Sequence, residues 1–162
     1  VIYFENRNSS VRTAEIDDVC CLKDTLRESD REEIKASHGH NPEEALLHSL
    51  KVSSHAFTVT FKGRPVAMFG VAPTEGDKTL GCIWLLASDE IHKIKKTFLK
   101  MSGVFIKQML DLYPVLFNYV DIRNTKSIDW LKWCGAQFMV PEVYGVENKF
   151  FSLFTIRRNA DV

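Results

Sequence analysis

The chain has 162 residues, of which 45% are hydrophobic and 26% charged, and its 21 Lys and Arg are balanced by 21 Asp and Glu. That length suits one domain, spanning 1–162, with a core of its own, and the charge balance excludes a whole-domain electrostatic drive toward nucleic acid or an anionic membrane. No run approaches the roughly 18 apolar residues of a membrane span, and the polar start at residues 1–10 does not read as a signal peptide. The spacing of Cys20, Cys21, Cys82 and Cys134 suits neither a disulfide framework nor a zinc site, so reduced thiols in an intracellular compartment are expected.

After a short extended start at residues 10–12, Ile16, Val19, Cys20 and Leu26 recur at helical spacing, and one of Cys20 and Cys21 is expected to face the core. Ser29-Asp30-Arg31-Glu32 reads as a capping box for a second helix, which His38-Gly39-His40 interrupts. Asn41-Pro42-Glu43-Glu44 opens a third, with Ala45, Leu46, Leu50 and Val52 on its buried side. The period then becomes two. Phe57, Val59 and Phe61 alternate with threonines, Lys62-Gly63-Arg64-Pro65 is a tight turn, and residues 66–72 return as the hairpin partner. A loop over 73–79 leads into residues 80–87, an apolar run that reads as a strand buried on both faces.

Residues 89–112 form the longest predicted helix, with Ile91, Ile94, Phe98, Met101, Phe105, Met109 and Leu112 as one stripe about 36 Å long. Pro114 closes it. Residues 115–122 form a strand, Asn124-Thr125 caps a helix running to Cys134, and Gly135 stops it. Strands at 136–140 and 149–156 follow, joined by a loop with Pro141 and Gly145. This order predicts an α/β (α+β) fold: a mixed, mostly antiparallel sheet with helices on both faces. The long helix, as crossover, makes strands 80–87 and 115–122 the one parallel pair.

His38, His40 and His48 invite a metal, but no Cys or acidic motif completes a ligand set, so no metal site is assigned. Neither a nucleophile elbow nor a phosphate-binding Gly-Lys-Ser/Thr loop is present. Cys134 ends a helix, where a thiolate is disfavoured, and reads as packing. Lys93, Lys96, Lys100 and Lys107 form a ridge that reads as a solvated helix face, leaving no strong nucleic-acid signal. Trp130 and Trp133 read as core anchors.

The element order resembles the GNAT superfamily of N-acyltransferases over nearly the whole chain. The local likeness is strongest from Val120-Asp121-Ile122-Arg123-Asn124 through Trp130-Leu131-Lys132-Trp133-Cys134-Gly135, similar to the superfamily's strand, Asn turn and short helix near the acyl-CoA thioester. Asn41-Pro42-Glu43-Glu44-Ala45-Leu46, Pro65-Val66-Ala67-Met68-Phe69-Gly70-Val71, Trp84-Leu85-Leu86-Ala87, residues 118–121 and Ser127-Ile128-Asp129-Trp130-Leu131-Lys132-Trp133 further resemble an internal virion protein family of short-tailed (podovirus) phages with a GNAT-like domain. That resemblance implies a role in assembly. Other virion or assembly proteins are the implied partners, and the virion interior and the infected host cytoplasm are the implied locations.

Two departures bear on chemistry. Active GNAT enzymes place a Gln/Arg-x-x-Gly-x-Gly/Ala loop before the long helix, where backbone N–H groups meet the CoA pyrophosphate. Here the junction is Ala87-Ser88-Asp89-Glu90-Ile91-His92, in which Ser88 is expected to cap the helix and two acids oppose a diphosphate. A tyrosine that protonates the leaving thiolate in many members falls, by register from Asn124, on Leu131. The expectation is therefore an inactive domain serving as a protein-binding module, its exposed surface including the 141–148 loop with Tyr144. No catalytic residue and no cofactor are assigned. The alternative is an acyl-CoA-dependent N-acetyltransferase with a non-standard loop, using acetyl-CoA. Trp84, Leu85, Leu86, Ala87 and Ser88 would then hold the cofactor, Asn124 would lie near the thioester, and long-helix lysines would meet the phosphates. A third possibility is a phage protein that modifies or blocks a host factor.

Overall fold

A computed structural model describes residues 1–158. The strands are β1 (Ile2–Glu5), β2 (Ser9–Thr13), β3 (His55–Phe61), β4 (Arg64–Thr74), β5 (Asp77–Ala87), β6 (Val115–Asp121), β7 (Gln137–Phe138), β8 (Glu142–Tyr144) and β9 (Lys149–Arg157). The helices are α1 (Ile16–Leu22), α2 (Glu28–His38), α3 (Pro42–Val52), α4 (Lys95–Leu112) and α5 (Thr125–Trp133). One sheet runs β1-β2-β3-β4-β5-β6-β9-β7, with β8 also paired to β9. Every pair is antiparallel except β5–β6, the predicted parallel pair.

Strand alternation sends side chains to two layers. Met68 and Leu86 join Val19, Leu22, Leu26, Ala45 and Leu46 beneath α1 and α3. Phe69 and Ile83 pack on the opposite face with Phe57, Phe105, Ile106, Met109 and Leu131. Phe57, Phe69 and Phe105 form the aromatic centre there, with ring centroids 4.9–5.2 Å apart. Helices thus cover both faces, as the sequence implied.

Several local expectations are corrected. The helix predicted over 89–112 begins as a 3-10 segment, Asp89–Ile94, and becomes α-helical only at Lys95. Ser88 is its N-cap residue, but its side chain makes no capping bond: the hydroxyl donates to the Val66 carbonyl at 3.1 Å. The loop expected over 73–79 is a tight hairpin at Glu75-Gly76, because Gly76 adopts φ 80° and lets β5 start at Asp77. Residues 29–32 form no capping box. The N-cap of α2 is Arg27, and Asp30 is turned inward, 2% exposed. Cys20 and Cys21 are both exposed, because α1 buries Asp18 instead, where Arg12 and the Thr58 hydroxyl neutralise and hydrogen-bond it. Strand β5 is not buried throughout, since Cys82, Trp84 and Leu85 are only half-buried.

The two tryptophans of α5 part company. Trp130 is half-buried, stacks on Phe98 at 6.0 Å and donates its indole N–H to the Ser102 hydroxyl at 2.9 Å. Trp133 is 63% exposed and is no core anchor; its indole reaches only the Leu99 carbonyl. Truncating a packed, hydrogen-bonded Trp leaves a cavity and removes the indole donor from Ser102, whose hydroxyl keeps only its bond to the Phe98 carbonyl. Trp130→Ala is expected to lose about 3 kcal/mol in denaturant melts and Trp133→Ala less than about 1 kcal/mol.

Candidate functional site

Strands β5 and β6 pair only over Leu80–Val115, Gly81–Leu116 and Cys82–Phe117 and then diverge. Asn118 spans the start of the gap, donating its side-chain amide to the Ile83 carbonyl at 2.8 Å. Beyond it opens a cleft of about 310 Å³ bounded by α2, α3, both strands and Tyr144. Antiparallel alternation against β4, fixed by the Ser88 N–H bond to the Val66 carbonyl, turns the peptide groups of Ile83, Leu85 and Ala87 toward this gap.

Those three peptide groups meet different fates. The Ile83 carbonyl is held by Asn118. The Ala87 carbonyl accepts from the Arg27 N–H at 2.9 Å, while the Ala87 N–H donates to Asp30 at 2.9 Å. Leu85 lies between them, its N–H and C=O facing the cleft past the last β5–β6 pair. Trp84, Leu85 and Leu86 line the cleft; the Trp84 indole is pinned by the Ser53 hydroxyl at 2.8 Å. Ser88 is 4% exposed with its hydroxyl bound to Val66.

Asn124, 2% exposed, is the hub of a buried polar cluster behind the cleft. Its carbonyl oxygen caps α5 by accepting from the Ser127 N–H at 3.3 Å. Its amide donates to Asp30 at 3.2 Å and to Glu33 at 3.0 Å. Arg27 forks onto Asp30 at 3.0–3.1 Å, and Arg123 grips Asp121 at 2.6 Å. Glu33 accepts the Asp121 N–H at 3.1 Å. Among the described residues, three carboxyls thus face two guanidinium groups, and Glu33 is the one without a cation partner. Burial, with the nearby Asp30 charge, pushes Glu33 up to about 8, and burial also raises Asp30 despite Arg27. Sequence reasoning found Asn124 through its capping signal but missed Asp30 and Glu33, whose charges look like an ordinary exposed helix start.

At the mouth stand His38, His40 and His48, with successive ring centroids 5.7 and 5.8 Å apart. Burial and the other two imidazoles lower His38. Among the described residues no group of three or more His, Cys, Asp or Glu is arranged to hold a metal. Tyr144 stacks face to face on Tyr119 at 4.1 Å and is half-buried, so it forms a wall of the cleft. Its loop is fastened to the end of α2 by Val146 and Glu147 N–H bonds to Ser37 and Ala36. Gly145 makes that contact: a Cβ there would fall 2.4 Å from the Ala36 carbonyl oxygen.

At the junction after β5, Asp89 pairs with Lys126 at 3.2 Å and Glu90 with Lys93 at 3.0 Å, leaving Lys96 and Lys100 exposed farther along. Burial raises the Cys134 thiol to about 12, which keeps it protonated and unreactive.

The described family "Bacteriophage T7, probable scaffold protein Gp13" matches residues 58–141. The probable scaffold protein gp13 of Escherichia phage T7 is 33% identical over 110 residues, 65% of this chain and 72% of that protein. Among solved structures, Ard1 of Thermoplasma volcanium superposes with a TM-score of 0.73 at 12% identity, covering 94% of this chain and 99% of that one. The ribosomal-protein-S5-alanine acetyltransferase of Vibrio fischeri gives 0.66 at 16% identity over 98% and 97%. YncA of Salmonella typhimurium, solved with acetyl-CoA, gives 0.69 at 10% over 96% and 98%. At such identities the likeness establishes the GNAT fold alone.

A carboxyl held protonated in the fold ionises earlier in the unfolded chain, so its burial costs stability as pH rises from about 4.5 to about 8. Glu33→Gln keeps an acceptor for Asn124 and Asp121 without the charge. It should match the parent in denaturant melts at pH 4 and exceed it by on the order of 2 kcal/mol at pH 9. Parallel pH curves for the two proteins would contradict the assignment.

Proposed function

Because the chain belongs to the family of the probable scaffold protein Gp13 of bacteriophage T7, we propose that it serves the assembly of a phage particle. In this reading its GNAT fold works as a protein-binding module rather than as an acyltransferase. Its partners are other virion or assembly proteins, and it resides in the particle interior and in the infected host cytoplasm.

The observation that carries the catalytic half of this reading is the state of the Ala87 peptide. Both its N–H and its C=O are consumed by α2, through Asp30 and Arg27. A pantetheine aligned along this strand edge would keep only Leu85 as a main-chain partner. Two residues past Ala87, the helix start is a 3-10 turn that opens with Asp89 and Glu90. A diphosphate there meets two carboxylates whose neighbouring lysines are already engaged, Lys126 by Asp89 and Lys93 by Glu90. Asn124, whose place near a thioester the GNAT resemblance implied, has its amide committed to Asp30 and Glu33. Leu131 is buried and has no proton to give.

The acyltransferase reading keeps one specific support. The cleft between β5 and β6 is open, and the same fold in YncA was solved with acetyl-CoA. There Trp84, Leu85 and Leu86 would flank the cofactor, Ala87 and Ser88 would close its inner end, and positioning an amine would supply the rate.

Calorimetric titration with acetyl-CoA separates the two. The module reading expects no saturable heat up to about 1 mM ligand, a free energy weaker than about −4 kcal/mol, and no acyl transfer to amines. Micromolar binding with transfer would establish the enzyme. The assembly half is read from the particle itself: the chain should be present in purified particles, and its deletion should leave particles deficient in internal components. Particles of unchanged composition and infectivity would contradict it.

A further inference from the structure

From the cleft between β5 and β6, we propose that it receives an extended segment of a partner protein whose lysine or arginine side chain completes the charge of the Asp30–Glu33–Asp121 cluster. This rests on the binding-module reading and supplies the chemistry of the partner.

Two independent features select that occupant. Leu85 presents an N–H and a C=O together on a strand edge that has lost its neighbour, and an extended backbone satisfies both at once. The cleft, at about 310 Å³, is too small for a helix some 10 Å across but holds the side chains of an extended strand. Its walls are apolar and aromatic, from Trp84, Phe117 and the Tyr119–Tyr144 stack.

The second feature is charge. Asp30 has Arg27 and Asp121 has Arg123, both at hydrogen-bonding distance. Glu33 lines the cleft and has only neutral donors, the Asn124 amide and the Asp121 N–H. Among the described residues, Glu33 is the one carboxyl of the cluster with no guanidinium partner, and it is the one on the side that faces the opening. The groups facing Glu33 from α2, β6 and the α5 start are Asp30, Asp121 and Asn124, and the cleft mouth adds His38, His40 and His48. A cationic side chain entering beside Leu85 gives Glu33 the partner its neighbours already have, and Glu33 then gives up its proton.

The probe is the synthetic pentapeptide acetyl-Ala-Val-Lys-Val-Ala-amide, titrated into the full chain and followed by amide chemical shifts and calorimetry. Saturable shifts centred on Leu85 are expected, and norleucine in place of lysine should weaken binding about tenfold. Calorimetry at pH 7 in buffers of different ionisation enthalpy should show release of about one proton per peptide, because the cation ionises a group that is protonated beforehand. Glu33→Gln should bind the lysine and norleucine peptides alike and release no proton. Equal affinity for the two peptides in the parent chain, or shifts that avoid Leu85, overturns the proposal. Such a failure leaves the acetyl-CoA and particle results untouched, so it is distinguishable from failure of the binding-module reading.

Discussion

The bond from the Ala87 N–H to the Asp30 carboxylate ties the open edge of β5 to the helical layer. Asp30 reaches a strand edge that parallel pairing has left open, and Arg27 answers from the same turn by donating its N–H to the Ala87 carbonyl. A buried carboxylate is costly unless its charge and lone pairs are met. Arg27, the Ala87 N–H and the Asn124 amide meet them here. Removing Arg27 leaves a buried charge uncompensated, and removing either amide leaves a buried lone pair unmet. The three elements that supply them, α2, β5 and the start of α5, are therefore fixed relative to one another.

That constraint reshapes what a parallel pair ordinarily leaves exposed. Strands joined by a helical crossover expose their carboxyl ends, and ligands gather where neighbouring strands part. In this chain the parting occurs after Cys82 and Phe117, yet the far end of β5 is already paired with α2. What stays available is a short stretch around Leu85 and the cleft beneath it. The same rearrangement gathers three carboxyls with two guanidinium groups and leaves Glu33 holding its proton up to about 8. In the proposed reading, the loss of chemistry follows from these contacts on a single edge.

Much of this was legible in the sequence, for physical reasons that differ by residue. The alternation Phe57-Thr58-Val59-Thr60-Phe61 and the Lys62-Gly63 turn dictate the hairpin, both turn residues adopting positive φ. Asn41 caps α3 and Pro42 opens it as their positions announce, and Glu44 completes a capping box with Asn41. Asn124 was readable as a helix cap, and it is one. Asp30 was not readable, because an acid near a helix start looks the same whether it faces water or a strand amide from another part of the chain. Glu33 was hidden for the same reason: its partners lie 88 and 91 residues away. Cys20 and Cys21 misled by composition, since the inward place on α1 goes to Asp18, held by Arg12 and Thr58. Trp133 misled by residue type: it reaches α4 only through the Leu99 carbonyl and stays 63% exposed, while Trp130 stacks on Phe98.

Amide hydrogen exchange at Ala87 and Leu85 tests the central claim, that the inner end of the β5 edge is occupied by Asp30 and Arg27, most directly. The Ala87 amide should be strongly protected and its rate unchanged by millimolar acetyl-CoA, whereas Asp30→Ala should release it toward the exchange rate of Leu85. Rapid exchange at Ala87 in the unmodified chain, slowed by acetyl-CoA, would show an edge open to the cofactor and contradict the account.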